Sequence, residues 1–450
     1  MTTQDSDTIN VTRAIDDGPF SWFQIGCILL CSLVAFLDGA DSQSIAIAGP
    51  IIAGLLGLTR AALGPIFSAG LLGAMIGALT FGPLGDRFGR KRMLILATVI
   101  FGVFTLLTAY AFSYESLLLT RFLAGLGLGG ATPCFIALAT EYAPKRRRAM
   151  IASLIWAAFP LGVAVGSFAN AFIVANYGWQ AMFLIGGVLP LLVAVLLMIW
   201  VPESIRYLIA TKRDPAQVRR TMSRIAPGLP ATARFVAEEE RLDGVPLKHL
   251  FTNGRAVPTL LLWISFIMSF GILAIIVAWA PILLADHGFS PAQAGTAIGL
   301  SGIGALLGMA SAGRLMERFG ATAMLVPALL LGAIATSAVG YAAGSIQLFS
   351  AVLVLVGLFV GLGASGSIAL AALTYPTAIR STGVGWAMGM GRFGQVVMPL
   401  LTASLTTVGW SGGEIFLAYG LAPLCAALAI FLLRRQSGQP ATATTIAEVA

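Results

Sequence analysis

"GPLGDRFGRKRML" occupies residues 82–94, and "GRLMERFGATAML" occupies residues 313–325. The two align without a gap at an offset of 231, with Gly, Leu, an acid, Arg, Phe, Gly, Met and Leu recurring in register. That offset is about half of the 450-residue chain, which is the mark of a duplicated unit. A weaker echo pairs "EYAPKRR" (141–147) with "TYPTAIR" (374–380) at an offset of 233. What one half of the chain builds, the other half builds again.

Composition says where the two halves reside. Hydrophobic residues make up 58% of the chain and charged residues 10%, whereas a soluble domain carries roughly 25% charge. So few charges over so long a chain mean that lipid, not water, surrounds most of the surface. A membrane helix needs about 20 mostly apolar residues, and twelve such runs can be read, near 22–47, 61–82, 93–112, 116–141, 149–173, 180–201, 257–284, 292–313, 321–342, 346–373, 382–407 and 414–433. The expected organisation is an N-terminal tail (1–21), a six-helix bundle (22–201), a central loop (202–256), a second six-helix bundle (257–434) and a C-terminal tail (435–450).

Charge placement sets the expected orientation. Of the 27 Lys and Arg residues, Arg60 alone falls in an outward loop, and Arg121 and Arg392 fall inside spans, if both termini are cytoplasmic. The net charge of +8 is then a consequence of topology, and nucleic acid is not an expected partner. No basic n-region of a signal peptide precedes the first span. The four cysteines (Cys27, Cys31, Cys134, Cys425) all sit in apolar segments and suggest no disulfide framework, and the two histidines, His249 and His287, are far apart. No metal or cofactor is expected, and no phosphate loop or nucleophile elbow suggests an enzyme.

Two repeated six-helix halves are the pattern of an alternating-access transporter, with the substrate near midplane between them. The chain resembles the major facilitator superfamily in "GPLGDRFGRKR" after span 2 and in the "RFLAGLGLGG…EYAPKRRR" block of span 4. With "DGAD" (38–41) in span 1 and "YPTAIRSTGVGWAMGMGRFG" (375–394) entering span 11, it is similar to the aromatic acid:proton symporter family. The resemblance implies an all-α membrane protein of twelve transmembrane helices in two pseudo-symmetric six-helix bundles. It implies import of an aromatic carboxylate with protons by a monomer in the cell's inner (plasma) membrane.

The stretch "VAFLDGADSQSIAIAG" (34–49) places Asp38 and Asp41 three residues apart on one helix face. Ionisable groups inside a span usually mark a substrate or proton path. Two carboxylates this close in a low dielectric cannot both ionise cheaply, so one is expected to carry a proton while Arg121 of span 4 holds the other ionised. From a span ending near residue 47, the pair is expected in the outer half of the bilayer. Asp38, Asp41, Arg121 and Glu141 are the candidates for proton coupling, although Glu141 also reads as a latch engaging Arg146–Arg148.

Arg392, near the middle of span 11, suits bidentate contact with a carboxylate. Asp41, Gln43, Trp386 and Gln395 are the other candidate substrate contacts, and the polar run Ser42–Gln43–Ser44 adds hydrogen-bonding capacity. Gly82, Asp86, Arg87, Gly89 and Arg90 of the first motif copy, with Glu317 and Arg318 of the second, are expected to gate the inner mouth. Gly82, Gly85 and Gly89 are expected to permit the tight turn between spans 2 and 3. Other readings stay open: a proton symporter for another small organic acid, a polyol or a sugar, a drug exporter, or a receptor that transports nothing.

Overall fold

The computed structural model describes residues 8–18, 20–211, 215–226, 234–236, 247–252, 254–375 and 380–437. Twelve long helical elements follow in the expected order: α1 (Trp22–Leu55), α2 (Leu63–Phe88), α3 (Arg90–Thr108), α4 (Tyr114–Glu141), α5 (Lys145–Tyr177), α6 (Trp179–Trp200), α7 (Ala256–Asp286), α8 (Pro291–Phe319), α9 (Ala321–Ala342), α10 (Ile346–Thr374), α11 (Arg380–Thr407) and α12, broken into Gly412–Tyr419 and Leu421–Ser437. Among the described residues, eleven helices are long and apolar enough to cross a membrane. Helix α11 is not one of these, because Arg392, Gln395 and five glycines dilute its apolar content. Its 28 residues still reach about 42 Å, more than a hydrocarbon core of about 30 Å requires.

Serines start several of these helices. Ser21, Ser113, Ser290 and Ser411 form capping boxes with Gln24, Ser116, Gln293 and Glu414, satisfying amides that would otherwise be orphaned at the membrane surface. Helix α1 continues through Pro50 to Leu55. This corrects the expected depth of the aspartates: Asp38 and Asp41 lie at the middle of α1, not in its outer half.

The segment expected as a loop is folded in part. It holds short helices Ile205–Ala210 and Pro215–Ile225, the second burying Val218, Met222 and Ile225. Strand Arg234–Val236 pairs in parallel with Thr8–Asn10, in register Thr8↔Arg234, Ile9↔Phe235 and Asn10↔Val236. Asn10 then caps helix Val11–Asp17, which buries Val11 and Ile15 in the core of the N-terminal half.

Duplication is visible in the packing. A Cβ on Gly73 or Gly77 of α2 would strike the carbonyl of Phe122 or Leu126 on α4, and one on Gly125 or Gly129 would strike Gly70 or Ala74. In the second half, Gly304 and Gly308 of α8 lie against Val354 and Leu358 of α10, and Gly357 and Gly361 lie against Ser301 and Ala305. Helices in lipid gain little from the hydrophobic effect, so backbone-to-backbone contact at small residues is what joins them. The turns repeat as well. Only one residue links α2 to α3, Gly89 at φ 108°, and only one links α8 to α9, Gly320 at φ 84°. Both need the left-handed freedom of glycine. Gly82 and Gly85, expected in this turn, lie inside α2, which stays helical through Pro83 to Phe88.

The two halves share a core on one side and, among the described residues, none on the other. Away from the termini, one continuous core draws residues from both halves, including Ile47, Phe67, Phe183, Trp279 and Phe416. Toward the termini, the core of the N-terminal half and two cores of the C-terminal half share no residue. The seal is tight where α2 meets α11: Ser68 Oγ donates to the Val396 carbonyl at 2.9 Å. There too a Cβ on Gly64 would collide with the Ala403 side chain and lie 2.8 Å from the Pro399 oxygen. Gly64→Leu is expected to wedge this seal apart. Overpacking of about 1–3 kcal/mol lowers the population of the sealed state about tenfold, measurable as lost transport with unchanged amounts of protein in the membrane.

Candidate functional site

Four helices of the N-terminal half bring their ionisable and polar groups together at mid-helix. Asp41 of α1 and Arg121 of α4, each 4% exposed, pair at 3.2 Å between Asp41 Oδ2 and Arg121 Nη1. Arg121 Nη2 donates to the Thr105 hydroxyl of α3 at 3.2 Å, and that hydroxyl donates to Asp41 Oδ1 at 3.3 Å. The fourth wall is α6, where the Phe183 ring lies 5.3 Å from the Arg121 guanidinium carbon. Gly186 of α6 leaves room beside Thr105 and Asp41, since a Cβ there would lie 3.5 Å and 3.9 Å from them. Desolvating both ions is costly, and it is offset in part because the carboxylate, the guanidinium and the hydroxyl bond one another, while Arg121 Nε is left without a partner among the described residues.

Asp38 turns differently. It is half-buried, and the charged groups whose fields reach it are Arg392 of α11 and Asp41. The two acids of "DGAD" therefore have separate partners. Asp41 is held within its own half by Arg121, while Asp38 lies within electrostatic reach of a cation from the other half. Arg392 Nη1 also donates to Gln395 Oε1 at 3.4 Å, one turn along α11.

The other polar residues of α1 point elsewhere. Gln43 is fully buried, donates to Ser42 Oγ at 3.0 Å, and leaves its Oε1 without a partner among the described residues. Ser44 Oγ accepts from Asn170 of α5 at 3.1 Å. Trp386 is not brought to this level: it is 44% exposed and stacks on Trp263 of α7 at 6.2 Å, about 9 Å nearer the start of α11 than Arg392.

Glu141 is separated from Arg121 by about 30 Å along α4 and belongs to a second cluster at the terminal end. It accepts from Ser204 Oγ at 2.8 Å and the Arg206 amide at 2.9 Å, and pairs with Arg90 Nη1 at 3.3 Å. Arg90 also pairs with the largely exposed Asp86 at 3.0 Å, so the two motif blocks of the N-terminal half are tied by one arginine. The side chains of Arg146–Arg148 lie outside the described residues. Glu203, which the sequence reading passed over, accepts from the amides of Lys91 at 2.8 Å and Arg92 at 3.4 Å. It caps α3 with a carboxylate at the positive end of the helix. A Cβ on Gly89 would strike that carboxylate.

Arg87 is exposed over the adjacent Phe88 ring at 5.3 Å, and Arg318 repeats this over Phe319 at 5.3 Å. Glu317 is exposed, and Ala321, Thr322 and Ala323 stand where the first copy has Arg90, Lys91 and Arg92. The second half thus has no counterpart of the Arg90 bridge.

Two repeated helical halves, joined by a shared core on one side and holding an ion pair at mid-helix, have the build of a membrane transport protein. The chain belongs to the major facilitator superfamily, whose sequence profile matches residues 31–290 and 261–448. It is 37% identical over 414 residues to the 4-hydroxybenzoate transporter PcaK of Pseudomonas putida, covering 91% of this chain and 92% of that one. It is 34% identical over 432 residues to a gallate transporter of Pseudomonas putida, with 94% of each covered. A 3-(3-hydroxy-phenyl)propionate transporter of Escherichia coli (strain K12) is 36% identical over 416 residues, covering 91% and 94%. Among solved structures, the partially occluded inward-open xylose transporter XylE of E. coli superposes with a TM-score of 0.72 at 19% identity, covering 92% of this chain and 98% of that one. That likeness is one of fold.

Two substitutions test these clusters. Asp41→Asn leaves the Arg121 charge buried without its anion and is expected to cost about 3 kcal/mol, read as earlier thermal unfolding in detergent. Gly89→Ala is expected to destabilise the terminal end through both φ and the collision with Glu203, read as faster proteolysis there while the Asp41–Arg121 level stays protected.

Proposed function

We propose that this protein is a proton-coupled symporter that imports an aromatic carboxylate by alternating access. It would lie in the inner membrane with both termini in the cytoplasm. Relatives at 34–37% identity over more than nine-tenths of the chain are transporters of ring-bearing carboxylic acids, which supports the substrate class. The coupling is supported by two acids three residues apart on α1, of which Asp41 is paired with Arg121 while Asp38 has no ion pair among the described residues and feels the field of Arg392.

Arg392 cannot satisfy two anions at full strength. While Asp38 is ionised, it occupies the field of Arg392 and repels an incoming carboxylate. A proton on Asp38 removes that competitor, and Arg392 is then free to hold the substrate carboxylate, with Gln395 beside it. Proton and anion thus enter together. Carrying one negative charge inward against 100 mV costs about 2.3 kcal/mol, and a proton on board cancels that charge. Each pH unit across the membrane then adds about 1.4 kcal/mol to accumulation. Asp41, held by Arg121, keeps the fixed charge that links α1 to α4. The Asp86–Arg90–Glu141 bridge and Arg87 are assigned to holding the terminal end of the N-terminal half as one piece, not to the proton route.

Uptake of labelled 4-hydroxybenzoate, gallate and 3-(3-hydroxyphenyl)propionate into proteoliposomes, with and without an inward pH gradient, tests the reading. At least one should accumulate only when the gradient is present. Asp38→Asn should abolish accumulation yet leave exchange of substrate across the membrane. Arg392→Lys should raise the apparent KM about tenfold through loss of bidentate contact. Accumulation by Asp38→Asn equal to that of the unaltered protein would overturn the mechanism.

A further inference from the structure

We infer that a recess between the start of α3 and the end of α6 binds one anionic phospholipid, with the phosphate on Lys91 and Arg92 and an acyl chain along Met198. The site lies apart from the mid-helix cluster, and the inference does not rest on proton coupling.

The recess encloses about 550 Å3, within the range of small-ligand sites. Lys91, Arg92 and Ile95 line it from α3 and Met198 from α6. Leu208 and Gln217, from the short helices Ile205–Ala210 and Pro215–Ile225, complete it.

Its charge is positive and available. Glu203 also borders the recess, but its buried carboxylate is engaged by the backbone. Oε1 accepts from the amides of Lys91 and Ser204 at 2.8 and 3.0 Å, and Oε2 from that of Arg92 at 3.4 Å. The same bonds occupy amides at the start of α3, so an anion is drawn here by side chains and not by the helix end. Lys91 Nζ donates to the Met198 carbonyl at 2.8 Å, which leaves two of the ammonium's three protons for another partner. Arg92 is exposed and has no ion pair among the described residues. Two cations against one carboxylate leave the recess positive.

The lip of the recess says which kind of anion fits. Met198 lines it and is also 59% exposed, and Ile199 and Trp200 beyond it are exposed as well. In a chain surrounded by lipid this apolar surface meets acyl chains, and Trp200 stands at a helix end, where tryptophans mark the membrane–water interface. A phosphate at Lys91 and Arg92 with hydrocarbon over Met198 uses both parts; a soluble anion would leave the apolar part unused. Basic pockets between membrane helices at this level suit anionic headgroups. The internal repeat supplies a control. At the offset of 231, Val326 keeps the apolar character of Ile95, but Thr322 and Ala323 stand in place of Lys91 and Arg92. The site therefore belongs to the N-terminal half alone.

Phosphatidylglycerol, phosphatidylcholine and inorganic phosphate are each titrated into the purified full chain in detergent. Bound copies are counted by native mass spectrometry while thermal unfolding is followed. Phosphatidylglycerol should saturate at one tightly held copy and raise the unfolding midpoint; the other two should do neither. Lys91→Gln combined with Arg92→Gln should weaken that binding about thirtyfold, and Arg92→Gln alone about fivefold. Arg314→Gln combined with Arg318→Gln removes the same charge from exposed side chains of α8 and should leave it unchanged. If the Lys91 and Arg92 double variant is not recovered from membranes, Arg92→Gln alone carries the comparison. Unchanged binding in Arg92→Gln, or equal weakening in the α8 variant, would overturn the inference. So would stabilisation by phosphatidylcholine or inorganic phosphate equal to that by phosphatidylglycerol.

Discussion

An arginine and an aspartate shut away from water must satisfy each other, and that requirement organises the N-terminal half. Arg121 and Asp41 come from helices α4 and α1, and their bond is useful only if α3 and α6 close around them with Thr105, Phe183 and Gly186. Removing either ion would leave the other buried and unpaired, at a cost of several kcal/mol. Four of the six helices in this half are therefore fixed relative to one another at mid-membrane by one small polar cluster.

Because that cluster is internal to one half, it can move as part of a rigid body. The Asp86–Arg90–Glu141 bridge and the Glu203 cap do for the terminal end what Arg121 does at the middle. The paired strands Thr8–Asn10 and Arg234–Val236 add the tail and the linker to the same body. The C-terminal half is built from the same glycine contacts but without charged residues at two of the matching positions, with Thr374 opposite Glu141 and Val354 opposite Arg121. The buried ion pair lies in one half, and Arg392 lies in the other.

Contact between the halves is of another kind. Backbones approach at Gly64 and Gly302, the Phe168 ring lies against Gly299, and apolar side chains fill one shared core on the side away from the termini. Among the described residues, few hydrogen bonds cross between the halves; Ser68 to Val396 is one. A seal of close-packed small residues can be lost and remade as a unit, while the internal ion pair of the N-terminal half stays intact.

The twelve spans, their division into two halves and the repeat were legible from hydropathy and register alone, since lipid requires long apolar helices whatever their arrangement. Asp38, Asp41, Arg121 and Arg392 were legible too, because a charge in an apolar run declares itself. Their partners were not. Asp41 and Arg121 are 80 residues apart, and which acid meets Arg121 and which feels Arg392 depends on a helix rotation of some 60°. Thr105 and Glu203 gave no signal, one resembling any threonine in a helix and the other any acid after a span. Trp386 looked like a ring-stacking contact, but the crossing of α11 with α7 turned it onto Trp263. One chain can specify how long and how greasy each helix is; which face of it meets which neighbour is decided only when glycine contacts far apart in sequence set the crossings.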